Sequence, residues 1–221
     1  MSAPKMLCLM ALSSLLMANL FAADLSVAFR LQYERSEGGV TITGHGVAFA
    51  ADLAAYGFKG KKFMLSAAHN VLDDQTKKPF DTLRVEVTPQ RLIKCRAVVW
   101  DTDFDLCVLK AEDNLPDQLA LGGADAAAGA RITMLAGPWG EAIRPLTGKV
   151  LRRFERGTVR TSMAVKFDPG DSGAPLLDAE GKVVGVAVAG VPKDGDIDPE
   201  VGLFVPLVML KAFLEGVQKR E

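Results

Sequence analysis

Histidine is nearly missing from this 221-residue chain. There are two, His45 and His69, and they do not stand at metal-ligand spacing. No zinc pattern exists and no internal repeat is found. No long basic run or basic face is visible, and the formal net charge is -1 with a pI near 6.2. Nucleic acid is therefore a poor main partner. Nothing steers the chain electrostatically to an anionic membrane. An acidic stretch, Asp194-Gly195-Asp196-Ile197-Asp198-Pro199-Glu200, carries the oxygen ligands that a hard cation wants. It lacks the EF-hand glycine, because Pro199 stands there, and Val205 occupies the bidentate glutamate position. A solvated loop is the expectation, with no metal and no cofactor.

Long hydrophobic runs are also scarce. The one that stands out is Met6 to Leu20, short of the roughly 20 residues a comfortable membrane span needs. Lys5 precedes it, and Ala22 and Ala23 follow. Residues 1–23 read as a secretory signal peptide, with an uncleaved anchor as the rival. The cleavage site is not clean, since Leu20 or Phe21 would stand three residues before the cut. Cys8 sits too early to be a lipidated cysteine. The expected location is periplasmic or secreted, with no stable membrane partner after signal removal. An oxidising compartment permits a disulfide between the two remaining cysteines, Cys95 and Cys107. Two buried thiols acting as small hydrophobes explain them equally well. The sequence leaves the strand register, and so this choice, open.

What is present is a succession of short strands separated by turn residues, the pattern of an all-β barrel or sandwich. A first set comprises Ser26 to Gln32, Val40 to Thr43, Val47 to Ala51, Phe63 to Ser66, Leu83 to Val87, Leu92 to Trp100 and Leu106 to Lys110. Ala111 to Gly129 is rich in Ala, Gly and Asp and reads as a connection. A second set follows at Arg131 to Leu135, Gly148 to Phe154, Thr158 to Phe167, Ala174 to Leu177, Val183 to Ala189 and Gly202 to Val205. From Pro206 the period changes, and Leu207, Leu210, Phe213, Leu214 and Val217 share one helical face. The expected units are a first barrel over 24–111, a linker over 112–129, and a second barrel with its helix over 130–221.

Three segments carry chemistry. Leu65-Ser66-Ala67-Ala68-His69 is a strand that ends in a histidine. Asp103-Phe104-Asp105-Leu106-Cys107-Val108 places a carboxylate before an apolar strand. Asp168-Pro169-Gly170-Asp171-Ser172-Gly173-Ala174 is a tight, glycine-flanked turn around a serine. A serine hydroxyl is a weak nucleophile until a base takes its proton. Histidine suits that task, and a carboxylate fixes its tautomer and stabilises the imidazolium. The candidate catalytic residues are thus Ser172 as nucleophile, His69 as base then acid, and Asp105 as orienter. The backbone N–H groups of Gly170 and Ser172 are candidates for an oxyanion hole, Gly170 supplying a backbone geometry closed to other residues. Each motif alone has an ordinary structural explanation; their order and strand context give them weight.

At these residues the chain resembles the chymotrypsin superfamily. Ala67-Ala68-His69, Asp105-Leu106 and Gly170-Asp171-Ser172-Gly173 match its three motifs in its order. The α/β-hydrolase order differs, and the G-x-S-x-G pattern fails at Ala174. Leu121-Gly122-Gly123-Ala124-Asp125, Gly129-Ala130-Arg131 and Ala136-Gly137-Pro138-Trp139-Gly140 look like the inter-barrel segment of Deg/HtrA-type proteases. Val205-Pro206 resembles the end of their protease domain. The likeness covers the chain from about Val40 and implies two packed six-stranded Greek-key β-barrels with a C-terminal α-helix. It implies serine endopeptidase activity on a peptide or protein substrate. A catalytically idle module that binds exported peptides is the alternative, and an esterase-like hydrolase a third. Those proteases usually continue into PDZ domains, which this sequence does not show, so chaperone-like assembly is not carried over.

The resemblance also marks a specificity pocket at Lys166, Phe167, Ala187, Val188 and Ala189. Small apolar walls favour an aliphatic side chain before the scissile bond. An inward Lys166 would invite an acidic one. No Ile-Val-Gly-Gly-type sequence follows Ala23 to pair with Asp171 after zymogen cleavage. Asp171 must find another partner or stay solvated, and His45, in the Gly44-His45-Gly46 segment read as a turn, is a candidate. The competing account of His45 is an ordinary exposed loop histidine.

Overall fold

The computed structural model describes residues 25–37, 40–73, 76–152, 160–193 and 196–218. The expected signal peptide lies outside them. Six strands form the first barrel: β1 (Ala28–Glu37), β2 (Val40–Ala50), β3 (Phe63–Ser66), β4 (Thr82–Thr88), β5 (Arg91–Asp101) and β6 (Leu106–Ala111). Six more form the second: β7 (Arg131–Ala136), β8 (Arg144–Val150), β9 (Thr161–Ala164), β10 (Pro175–Leu177), β11 (Val183–Lys193) and β12 (Asp196–Pro206). One helix, α1 (Leu207–Gln218), ends the described chain.

Both barrels are closed, and both use the same connectivity. The first runs β1-β2-β3-β6-β5-β4 and the second runs β7-β8-β9-β12-β11-β10. Every ladder is antiparallel. Closure removes the unpaired edges that an open sheet would present to other chains. This is the expected all-β, chymotrypsin-like fold with its terminal helix.

Alternation along the strands builds two separate apolar clusters. In β3 and β6, Met64, Cys107 and Leu109 join the interior of the first barrel, with Phe29, Leu31, Leu83 and Val85. Their neighbours Leu65, Leu106 and Val108 join a second cluster that includes Met134, Leu176, Val186 and Phe204. Side chains of a strand point to opposite faces in turn. These strands are therefore buried on both faces, one inward and one against the second barrel. The helical face predicted from Leu207, Leu210, Phe213, Leu214 and Val217 is buried in that same cluster.

The thiols Cys95 and Cys107 are free and buried. The register explains why they are not bridged. Cys95 stands opposite Ala111, and Cys107 stands opposite Trp100, so the two are not cross-strand partners. A disulfide needs its Cα atoms within about 7 Å and its Cβ vectors converging. Burial pushes Cys95 up to about 12 and Cys107 well above its usual range.

Two local expectations change. Gly44-His45-Gly46 is not a turn but the middle of β2, paired with Tyr33, Gln32 and Leu31 of β1. Its glycines are there for close approach: a Cβ on Gly44 would collide with the Tyr33 ring, and one on Gly46 with the Asn70 amide. The acidic stretch, outside Asp194 and Gly195, belongs to β12, and Asp196 pairs with Lys193 at the tip of the β11–β12 hairpin.

The connection between barrels is stitched to both. Leu119 bridges Ala51 of the first, and Leu121 bridges Val183 of the second. Asp125 caps the helix by accepting the Val208 N–H at 2.8 Å. A carboxylate at that position satisfies an orphan donor and suits the positive end of the helix.

Candidate active site

His69 lies on a 3-10 turn, Ala68–Asn70, directly after β3. Asp105 sits one residue before β6, the strand paired with β3. Adjacent strands therefore deliver both side chains to the same end of the first barrel. Asp105 adopts φ +57°, a left-handed conformation that aspartate tolerates better than most residues. That local bend lets one residue bind the histidine turn three ways. Its carbonyl accepts Ala68 N–H at 3.1 Å, and its carboxylate accepts His69 N–H at 3.1 Å. The carboxylate also holds the imidazole, with Nδ1 2.9 Å from Oδ2 and 3.0 Å from Oδ1. Asp105 is buried while the His69 side chain is 41% exposed. An imidazole pinned at Nδ1 turns its Nε2 edge away from the acid.

The serine turn comes from the second barrel and is bolted to the first. The Ser172 carbonyl accepts Val47 N–H at 2.9 Å and the Asn70 amide at 2.7 Å. The same Asn70 amide reaches Ser66 Oγ at 3.2 Å, and Ser66 donates to the Val47 carbonyl at 2.6 Å. Asn70 is next to His69 in sequence, so the residue that locates the serine is tied to the residue that bears the histidine. Gly173 takes φ +89°, and a Cβ there would collide with the Val47 carbonyl oxygen and Ser66 Oγ. Only glycine permits this approach of two backbones. The Ser172 hydroxyl donates to the Val188 carbonyl at 3.3 Å. Among the described residues no hydrogen bond joins it to His69.

Asp171 is fully buried, and its partner is not His45. Its carboxylate accepts two backbone N–H groups, from Gly137 at 3.0 Å and from Asp168 at 2.9 Å. Burial raises it from the ordinary 3.8 to about 6, against the opposing pull of those two hydrogen bonds. His45 is half-buried on β2 and lies against Gly140, and its Nδ1 has no hydrogen-bond partner among the described residues. Burial lowers its pKa, helped by Arg30.

The segment Gly137-Pro138-Trp139-Gly140 does more than the sequence revealed. Besides reaching Asp171, it offers Trp139 N–H to the Pro169 carbonyl at 2.7 Å. Across a trans peptide the carbonyl and the next N–H point in opposite directions. Fixing the Pro169 carbonyl therefore turns Gly170 N–H the other way, with Gly170 at φ +99°. Neither Gly170 N–H nor Ser172 N–H donates to an acceptor among the described residues. Trp139 is itself left-handed, at φ +54°, and 68% exposed. The Gly137–Gly140 stretch, expected within the inter-barrel segment, instead joins β7 to β8 inside the second barrel, and a bulky residue with positive φ there has no sequence signature.

The pocket residues occupy two environments. Ala187, Val188 and Phe167 are buried, with Phe167 against Gly202 and the Ala187 backbone paired with Gly173 and Ala174. Ala189 is half-buried. Lys166 is exposed, and its ammonium lies 3.0 Å from Asp168. Arg160 is a further charge that sequence reasoning missed: its guanidinium is 3.5 Å from Asp105.

Two six-stranded antiparallel barrels, with a histidine–carboxylate pair on one and a glycine-flanked serine from the other, define a chymotrypsin-like protease architecture. The chain belongs to the trypsin-like peptidase domain family, whose model matches residues 44–186. No curated protein matches it by sequence. Among solved structures it is similar to the active form of the Rv3671c protease of M. tuberculosis, at 17% identity and a TM-score of 0.71, covering 88% of this chain and 82% of that one. It is also similar to the HtrA-type protease AlgW, solved with a tripeptide, at 21% identity and a TM-score of 0.70. That match covers 91% of this chain and 62% of AlgW. The likeness to a Deg/HtrA-type protease domain expected from the motifs is thus met in the fold, and the family is that of the trypsin-like peptidases.

Proposed function

We propose that the chain is an exported serine endopeptidase in which Ser172, His69 and Asp105 form the catalytic triad. The observation that carries this reading is the pinned imidazole, with Nδ1 2.9 Å from the buried Asp105 carboxylate. That contact sets the tautomer in which Nε2 is free to take the Ser172 proton. Ser172 then attacks the scissile carbonyl, and His69 returns the proton to the leaving amine. Water hydrolyses the acyl-enzyme by the same relay. The uncommitted N–H groups of Gly170 and Ser172 stabilise the oxyanion, each such donor contributing about 3 to 4 kcal/mol to the barrier reduction. The 3.3 Å contact of Ser172 Oγ with the Val188 carbonyl is long and neutral, so a rotation about χ1 releases the hydroxyl toward His69 at little cost.

The same contact favours a second reading, an idle module that keeps the fold and binds peptides. Its serine would stay parked on Val188. Export rests on the apolar segment after Lys5. An aliphatic side chain before the scissile bond suits the apolar wall, since Lys166 is already paired with Asp168.

The test is cleavage of an unstructured protein substrate and a peptide library by the purified chain. Triad chemistry predicts loss of turnover in Ser172→Ala. It predicts a fall on the order of 10^4 in kcat for Asp105→Asn, in which the wrong histidine tautomer is held. Equal turnover in parent and Ser172→Ala would remove the serine from the mechanism. A library dominated by Asp or Glu before the cut would reverse the specificity reading.

A further inference from the structure

Far from the serine, the register of the first barrel gathers cations that the sequence keeps apart. Arg96 of β5 stands directly opposite Lys110 of β6, and Arg84 of β4 opposite Lys94 of β5. Like charges facing each other across a ladder destabilise a sheet. Arg84 is relieved by Glu34, 2.6 Å away. Lys94, Arg96 and Lys110 make no ion pair with a carboxylate among the described residues. Lys110 lies instead over the Phe63 ring, 5.7 Å from its centroid, and Lys62 donates to the backbone carbonyl of Glu112.

A cavity of about 260 Å³ opens among these groups, lined by Lys62, Arg96, Lys110 and Glu112, with the buried Cys95 and Ala111. The Cys95 thiol adds no charge at neutral pH, because burial holds it protonated up to about 12. Three cations against one carboxylate leave two positive charges without a counter-ion. A lone carboxylate ligand would balance only one of them. The guanidinium fork of Arg96 matches two oxygens of a tetrahedral anion, and the lysines supply point charges around it.

We propose that this cavity binds a dianionic phosphate group, carried by a soluble phosphate compound or by a lipid headgroup. The site lies at the opposite end of β6 from Asp105. Five residues at about 3.3 Å each put it roughly 16 Å from the acid, apart from the catalytic machinery. A ligand here occupies the first barrel alone and does not obstruct the serine.

The test uses the purified full chain, the double variant R96Q/K110Q, and K149Q as a control on the second barrel. Pyrophosphate is titrated at constant ionic strength while thermal unfolding is followed. Vesicles of phosphatidylcholine with and without phosphatidic acid are co-sedimented in parallel. A saturable rise in Tm with pyrophosphate, kept in K149Q and weakened at least about fivefold in apparent affinity in R96Q/K110Q, supports the site for soluble phosphates. Phosphatidate-dependent sedimentation lost only in R96Q/K110Q supports the lipid source. Binding equal in parent and double variant, or no response to either probe in the parent, overturns the proposal.

Discussion

At the scale of single residues, the site depends on two aspartates in opposite circumstances. Asp105 is left-handed and spends its oxygens on the histidine turn, while Asp171 is sealed under the serine with two backbone donors. Burial holds Asp171 near 6 in the fold, against an ordinary 3.8. The folded state therefore binds the Asp171 proton more readily than the unfolded chain. Its ionised form costs stability fully above about 6, and that cost disappears as the pH falls toward 4. Thermal melts of the parent and Asp171→Asn, taken between pH 4 and 8, isolate this group because the other titrations are shared. The difference in Tm, parent minus variant, should rise as the pH falls through about 6. A difference that falls on acidification would mean that the native state favours the carboxylate. The sequence carries no Ile-Val-Gly-Gly-type segment after Ala23 to pair with Asp171. It could not show Gly137, since a backbone donor 34 positions away leaves no side-chain trace.

At the scale of elements, strand boundaries follow the side-chain pattern where strands are apolar and depart from it where backbones touch. β3, Phe63–Ser66, matches its expectation residue for residue, as a short apolar run before a histidine should. β2 does not, because Gly44 and Gly46 look like turn residues yet serve close approach to Tyr33 and Asn70. β8 begins four residues earlier than expected, and β12 six residues earlier, carried by hairpin pairing rather than by apolar pattern. The His69, Asp105 and Ser172 motifs are legible because each lies within three residues of a strand, where local sequence constrains position. The turn at Trp139 is not, nor is the Arg160 contact, because both depend on tertiary approach. Gly173 tests the tightest of these approaches. Gly173→Ala must adopt a positive φ and push against the Val47 carbonyl, so a loss of at least about 2 kcal/mol is expected in urea melts. A loss under about 0.5 kcal/mol would mean that the two backbones separate freely.

At the scale of the whole molecule, two closed barrels share one apolar cluster, and the proposed triad straddles it. His69 and Asp105 belong to the first barrel and Ser172 to the second. Their alignment therefore depends on how the barrels seat against each other. Asn70 fixes that seating through the Ser172 carbonyl, with Val47 N–H as its companion. Asn70→Ala should lower stability by about 1 to 3 kcal/mol, the cost of a buried hydrogen-bond partner left behind. It should also lower kcat more than it changes KM, because the serine shifts relative to the histidine; unchanged kcat would assign the alignment to the apolar cluster alone. The proposed chemistry requires Ser172 to be an activated nucleophile. The direct measurement is labelling of the purified chain with a fluorophosphonate probe, beside Ser172→Ala and His69→Ala. Covalent labelling of the parent at Ser172 is expected, and none in either variant. A folded parent that does not label, or a Ser172→Ala variant that labels equally, would contradict it.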